Sequence, residues 1–147
     1  MAAVFSHSNV VTVAREWIGT SYRHGHATKG RGCDCVGLVR GVMAELTGEP
    51  LVSVPPYSPS WRVRDGGNVL ETKLAEHMES IDPADVIPGD VLTFRMFGHE
   101  DARHCAILAT ETTLIHTYQG IAAVEEVAFV RRWRERAGTP YRFREIT

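Results

Sequence analysis

The spacing of apolar residues changes near the midpoint of the chain. In the first half they recur every three or four positions, which is typical of helices and predicts them over 9–18, 34–47 and 68–78. In the second half, short apolar runs between turn residues predict strands within 85–96, 104–109, 113–118, 122–127 and 141–146. The arginine-rich segment 129–137 fits either a short helix or an exposed strand. Helices followed by an antiparallel meander predict an α+β fold.

Size and charge exclude several classes of protein. A chain of 147 residues predicts one domain, 1–147, and a net charge of −2 offers no basic field for nucleic acid. No apolar run approaches the roughly 20 residues of a membrane span. The first ten residues lack the basic start and apolar core of a secretory signal, so we expect synthesis in the bacterial cytoplasm without a signal peptide.

The chain has three cysteines, an odd number that favours free thiols over a disulfide framework. Cys35 follows a glycine-rich loop at the start of the second predicted helix, and Asp34 can cap that helix. The helix dipole and free backbone N–H groups there favour a thiolate, the nucleophilic form of cysteine. The alternative is that Cys35 is a small buried residue and Asp34 only a cap.

Two histidines lie in predicted strands, where one could serve a nucleophilic cysteine as its base. A hairpin turn centred on Thr110 would place His104 directly opposite His116 on one face. One imidazole could then act as the base while the other fixes its tautomer and orientation. The alternative is two unrelated histidines. Strand alternation points Cys105 to the opposite face, as a core thiol.

A metal site is a competing interpretation of the same residues. Cys33, Cys35, His104 and Cys105 are suitable zinc or iron–sulfur ligands. However, a C-x-C pair is less typical of such sites than C-x₂-C, and side chains of adjacent strand residues diverge. We therefore expect neither a metal ion nor a cofactor, and leave the role of Cys33 open.

Five motifs occur in an order that resembles the NlpC family of cell-wall cysteine peptidases: REWIGTSYRHG, GCDCVGLVRG, IPGDVLTFR, HCAIL and LIHTYQG. The resemblance implies a papain-like fold, with the nucleophile helix packed on an antiparallel sheet. It also implies cleavage of peptidoglycan stem peptides at the γ-D-glutamyl–diaminopimelate bond. By motif, Cys35 would be the nucleophile, His104 the general base and acid, and His116 the orienting residue. Tyr22 and Asp34 would help form the oxyanion or substrate-positioning site.

The match also suggests a narrower subgroup and leaves some questions open. The run PPYSPSW at 55–61 and the arginine-rich segment resemble peptidases encoded with phage tails and gene transfer agents. This implies tail-tip or baseplate partners and activity in the periplasm of a target cell. Docking could use Tyr57 and Trp61 of the proline-rich loop Pro55–Trp61, or the arginine-rich strip Arg131–Arg136 around Trp133; the alternative is that the tryptophans pack onto the domain itself. Val36 stands where the family often has serine, so the preferred bond and stem length stay open. A silent structural tail protein and a thiol acyltransferase or amidase are the alternatives.

Overall fold

A computed structural model describes residues 4–54, 57, 69–96, 98 and 101–146. Its helices are α1 (His7–Glu16), α2 (Cys35–Thr47), α3 (Val69–His77) and α4 (Arg131–Arg136), with a 3₁₀ turn at Pro83–Asp85. A small ribbon pairs β1 (Ala27–Thr28) with β2 (Gly32–Cys33). The main sheet contains β3 (Met78–Ser80), β4 (Val91–Arg95), β5 (Ala102–Thr110), β6 (Thr113–His116), β7 (Glu125–Ala128) and β8 (Tyr141–Phe143). Helices packed with an antiparallel sheet confirm the α+β prediction.

The main sheet has the strand order β3-β8-β4-β5-β6-β7, and all of its pairs are antiparallel. Alternating residues of β5 separate two hydrophobic clusters. Cys105 and Ile107 pack in the larger cluster with α1, α2 and α3. Ala106 and Leu108 pack in the smaller cluster with Trp133 of α4. The sheet is therefore covered on both faces where β5 passes through its centre.

The buried carboxylate of Asp90 joins three distant parts of the chain. Asp90 accepts hydrogen bonds from His7, at 3.0 Å, and from Arg142, at 2.9 and 2.8 Å. Before it, Gly89 has φ +100°, and a Cβ atom there would lie 2.5 Å from the backbone oxygen of His7. The predicted Pro88–Gly89 turn thus fixes how β4 enters the sheet beside α1 and β8.

The structure corrects several predicted boundaries. The segment 129–137 forms the helix α4, and α3 ends at His77 because Met78 begins β3. The last predicted strand is shorter, ending at Phe143. The loop 20–32 carries β1, which the sequence did not indicate. No helix of the described ranges is both long and apolar enough to cross a membrane.

The predicted pairing of the β5–β6 hairpin is wrong by two residues. The strands pair Ile107 with Ile115 and Leu108 with Leu114, and the register shifts again before the turn. The turn is thus centred beyond Thr110, between positions 111 and 112. Continuing the register places His116 level with position 106, diagonal to His104 rather than opposite it. An offset of two keeps both side chains on the same face.

The predicted docking anchors also differ from the structure. Trp133 is buried within the smaller hydrophobic cluster, so it packs onto its own domain and is not an exposed anchor. Trp61 and the rest of 55–61, except Tyr57, lie outside the described residues. Tyr57 itself makes contacts at the candidate site described below.

The contact between α1 and α2 depends on Gly41. A Cβ atom at this position would lie 2.1 Å from the ring of Trp17, which is buried just after α1. We expect Gly41→Ala to lower the free energy of unfolding by about 1–3 kcal/mol, because this overpacking outweighs the gain in helix propensity. Chemical denaturation with a constant m-value measures the change.

The double variant supplies the control. Trp17→Phe removes the outer ring that the new methyl group would strike, so it should cost less stability in the Gly41→Ala background than in the wild type. Strictly additive losses would contradict this steric account of Gly41.

Candidate active site

Cys35 is the first residue of α2, and its side chain reaches the surface cleft there. Asp34 caps the helix, as predicted: its Oδ1 accepts a hydrogen bond of 2.7 Å from the Gly37 backbone N–H. Gly37 is required because a Cβ atom would lie 1.9 Å from the backbone oxygen of His26. The glycine-rich loop therefore approaches the first turn closely and fixes where the thiol emerges.

The second oxygen of Asp34 binds two further segments. Its Oδ2 accepts hydrogen bonds from the Gly25 backbone N–H, at 2.8 Å, and from the Tyr57 hydroxyl. His24 lies beside them: its Nε2 is 2.6 Å from the Tyr57 backbone oxygen, and its Nδ1 is 3.7 Å from the same Asp34 oxygen. The carboxylate thus joins the glycine-rich loop, α2 and the residue at position 57.

His104 and His116 form a hydrogen-bonded pair beneath the cleft. The Nε2 atom of His104 lies 2.9 Å from the Nδ1 atom of His116, and both residues are buried. Trp133 packs against both imidazoles, with ring centroids 5.5 and 5.3 Å away, and Tyr118 contacts both as well. The predicted pairing on one face therefore occurs despite the shifted register.

The electrostatics favour a charged cysteine and an uncharged His116. A hydrogen bond from the Cys105 thiol, together with the hydrogen bonding and positive charge of His104, outweighs burial and lowers the pKa of Cys35 to about 5. Burial, with smaller effects from the charges of His104 and Arg132, lowers the pKa of His116 to about 3. Near neutral pH, Cys35 is a thiolate and His116 is a neutral ring.

The neutral state of His116 assigns the protons of the pair. His116 Nδ1 can accept a hydrogen bond when its own proton is on Nε2, so His104 donates from Nε2. The Nδ1 atom of His104 is buried and makes no well-aligned hydrogen bond with the described residues. This nitrogen is left for proton exchange with the thiol and with a bound substrate.

Cys105 contributes to the site in a way that the sequence did not predict. It is a buried thiol on the face of β5 opposite His104, as expected, but its Sγ also lies 3.5 Å from the Cys35 carbonyl oxygen, and its single proton can point either to that oxygen or to the Cys35 thiolate, where it lowers the pKa. Burial and the charge of Asp34 raise the pKa of Cys33 to about 12. No group of three or more potential metal ligands forms among the described residues. The sequence alone does not predict the contact between Cys105 and Cys35, because the two residues are 70 positions apart.

Tyr22 lines the same cleft as Cys35, His104 and Tyr57. Burial, then the charges of Asp34 and Cys35, raise the pKa of Tyr22 to about 12, so its hydroxyl stays protonated and can donate. This placement suits the predicted oxyanion or positioning role. That role, and a direct contact of Asp34 with substrate, stay predictions.

The chain can now be compared with known families. The model of the NlpC/P60 family matches residues 19–137, which include the cysteine, both histidines and α4. The chain belongs to the NlpC/P60 family. A comparison with curated proteins finds no match.

Solved NlpC/P60 structures share the fold. NlpC2 from Trichomonas vaginalis is 16% identical with a TM-score of 0.68, over 94% of this chain and 46% of that one. The NlpC/p60 domain of the peptidoglycan hydrolase SagA is 21% identical with a TM-score of 0.62, over 93% of this chain and 98% of that domain. The peptidoglycan hydrolase RipB from Mycobacterium tuberculosis is 16% identical with a TM-score of 0.60, over 96% and 65%. The NlpC/P60 chain spans less than half the length of NlpC2. These similarities confirm the papain-like NlpC/P60 fold.

The lowered pKa of Cys35 predicts selective alkylation. At pH 6 iodoacetamide should modify Cys35 at least tenfold faster than Cys33 or Cys105, because only Cys35 is largely thiolate at that pH and the other two thiols are fully buried. Peptide mass spectrometry over a pH series measures the three rates. Equal rates would contradict the assignment.

The two other thiols provide a matched pair of variants. Cys105→Ala should move the alkylation midpoint of Cys35 to higher pH, because it removes the hydrogen bond that lowers the pKa most. Cys33→Ala also removes a buried thiol, yet should leave the midpoint in place. If both variants shift it equally, general repacking explains the effect and the Cys105 hydrogen bond does not.

Proposed function

We propose that the chain is a peptidoglycan stem-peptide hydrolase that cleaves the γ-D-glutamyl–diaminopimelate bond through Cys35, His104 and His116. The observation that carries the proposal is a thiolate-forming cysteine at a helix N-terminus, beside one member of a buried histidine pair. Family membership supports a cysteine hydrolase of the cell wall. SagA and RipB, which share its fold, are described as peptidoglycan hydrolases.

In the proposed first step, the Cys35 thiolate attacks the carbonyl carbon of the scissile amide. The resulting oxyanion accepts hydrogen bonds from the Cys35 backbone N–H, at the open end of α2, and from the Tyr22 hydroxyl. His104 gives its Nδ1 proton to the leaving nitrogen. The C–N bond then breaks, leaving a thioester on Cys35 and releasing the amine.

The second step reverses the proton transfer. His104, now neutral, takes a proton from a water molecule as that water attacks the thioester carbonyl. The C–S bond breaks, which releases the product as a carboxylic acid that loses its proton to solvent, and restores the thiolate and the protonated imidazole. His116 acts throughout by accepting the Nε2 proton, which keeps Nδ1 directed at the reacting atoms. These residues suffice for both steps.

Digestion of purified peptidoglycan tests this proposal. Wild-type protein should release fragments whose masses and termini identify cleavage after the γ-linked glutamate. Cys35→Ala and His104→Ala should lose at least 10³-fold in kcat/KM, since each removes a group that reacts. His116→Asn should keep measurable activity because an amide oxygen can still accept the His104 hydrogen bond.

Unchanged folding is the control for these variants, measured by thermal unfolding. Activity that survives in folded Cys35→Ala, or cleavage at a glycosidic bond, would contradict the proposed function.

We further propose that the protein is made in the bacterial cytoplasm, carried on a phage-like tail and active in the periplasm of the target cell. The sequence resemblance of 55–61 and the arginine-rich segment to tail-encoded peptidases supports this. The four arginines of α4 are exposed around the buried Trp133, and they suit an acidic face of a tail-tip or baseplate protein.

Particle composition tests this second proposal. Particles purified from a lysing culture should contain the chain, detected by mass spectrometry, in a constant ratio to tail proteins. Arg136→Glu should lower that ratio several-fold, whereas Arg31→Glu, an exposed arginine on the loop before β2, should not. Finding the chain only free in the lysate would contradict carriage on a tail.

A further inference from the structure

Two thiols, those of Cys35 and Cys105, meet in the core below the cleft. Both are free, and both are buried in the larger hydrophobic cluster, where the start of α2 packs on β5. The Cys105 Sγ atom lies 3.5 Å from the Cys35 carbonyl oxygen, and the side chains of the two residues are hydrogen-bonded to each other. The two sulfur atoms are therefore already neighbours in the reduced protein, which is the first requirement for a disulfide.

The thiols differ in their access to the cleft. Cys35 lines the cleft and is 8% exposed, whereas Cys105 and Cys33 are both 0% exposed. Cys35 is also the thiol whose pKa is lowered, to about 5, and small oxidants react with the thiolate form. Oxidation therefore begins at Cys35, and Cys105 can react only with a sulfur that is already inside the protein.

We propose that Cys35 and Cys105 form a site of reversible oxidation, at which a hydroperoxide joins the two sulfur atoms in a disulfide and so removes the nucleophile. This inference goes beyond the proposed hydrolysis, because it concerns the two thiols and an oxidant and needs no peptide substrate. A reductant that cleaves the disulfide returns the thiolate to the cleft.

In the first step, the Cys35 thiolate attacks one oxygen of the hydroperoxide. An S–O bond forms and the O–O bond breaks, so the sulfur is oxidised by two electrons and the peroxide is reduced. The other peroxide oxygen leaves with the proton of the His104 imidazolium, as water when the oxidant is hydrogen peroxide. Cys35 then carries an uncharged sulfenic acid, and His104 is neutral.

The first step also prepares Cys105 for the second. In the reduced protein, the hydrogen bond to Cys35 raises the pKa of Cys105 most, followed by burial and the charge of Cys35. The sulfenic acid is uncharged, so the effects that depend on the Cys35 thiolate are lost once Cys35 is oxidised. The Cys105 sulfur then attacks the Cys35 sulfur, the S–O bond breaks, and the hydroxyl group leaves with the Cys105 proton as water.

Cys33 is the competing partner for Cys35, and its position disfavours that role. The strand β2 holds the Cys33 backbone through hydrogen bonds of both its N–H and its carbonyl group, each 3.0 Å long. A bridge to Cys35 would enclose only Asp34, whose side chain is already fixed as the helix cap. A side-chain hydrogen bond connects the Cys35 thiol with Cys105 and not with Cys33.

Treatment of the full chain with hydrogen peroxide tests this inference. The mass of the wild-type protein should fall by about 2 Da, and digestion without reductant should yield peptides linked through Cys35 and Cys105. Labelling of Cys35 by iodoacetamide should decrease by about tenfold or more, and dithiothreitol should restore it because it reduces disulfides.

Cys105→Ala and Cys33→Ala are the matched variants. Without Cys105 the sulfenic acid has no partner, so it should proceed to a sulfinic acid, which adds about 32 Da and resists dithiothreitol. Cys33→Ala should behave as the wild type does. The proteins are compared at equal loss of the Cys35 thiol, because Cys105→Ala also removes a hydrogen bond that lowers the pKa of Cys35. Labelling recovered with dithiothreitol should be about tenfold lower in Cys105→Ala than in the other two proteins.

The peptide map of the wild-type protein decides the question even where a variant folds poorly. A bridge between Cys33 and Cys35, a sulfinic acid at wild-type Cys35, or equal recovery in Cys105→Ala overturns the inference. Absence of peptidoglycan hydrolysis by the fully reduced protein contradicts the proposed function instead, so the two failures are distinguishable.

Discussion

The arrangement of the site depends on one buried carboxylate at the start of α2. Asp34 accepts hydrogen bonds from backbone or side-chain groups on three segments, through Gly37, Gly25 and Tyr57. Without it the buried Gly37 N–H would be unsatisfied, and an unpaired buried donor costs about 1–3 kcal/mol. Since Cys35 is the next residue, the same contacts that cap the helix also fix the position of its sulfur. Capping and nucleophile placement are therefore a single constraint.

Because Asp34 at the start of α2 is itself negative, the negative charge of the Cys35 thiolate must be stabilised by residues of the sheet. Asp34 itself raises the pKa of Cys35, so a negative neighbour is tolerated only because His104 and the Cys105 thiol act in the opposite direction. His116 stays neutral in its buried place, which limits the histidine pair to one positive charge. Within the pair, His104 is therefore the member whose positive charge acts on the thiolate.

Features that depend on near neighbours in sequence were predictable, and features that depend on tertiary contacts were not. The start of α2 and its Asp34 cap follow from a loop, a capping residue and an apolar period, and the structure confirms them. The predicted register of the β5–β6 hairpin was wrong by two residues because the turn lies between positions 111 and 112 rather than at Thr110, and the pairing shifts by a further residue close to the turn. The histidines still met, because an even shift preserves the face. The bonds from Cys105 to Cys35 and from Arg142 to Asp90 span 70 and 52 positions, and no local pattern indicates them.

Strand β5 carries two adjacent residues, His104 and Cys105, that both act on Cys35. Its alternation turns His104 toward Trp133 and Cys105 toward α2, so adjacent residues reach the thiolate by different routes. Both must stay in place together, because any slide of β5 that moved the imidazole would also withdraw the thiol. Trp133 packs against both imidazoles and so contributes to the burial that disfavours a charged His116. The helix α4 therefore affects the charge of the site in two ways, because Trp133 helps to bury His116 and the positive charge of Arg132 also lowers the pKa of His116.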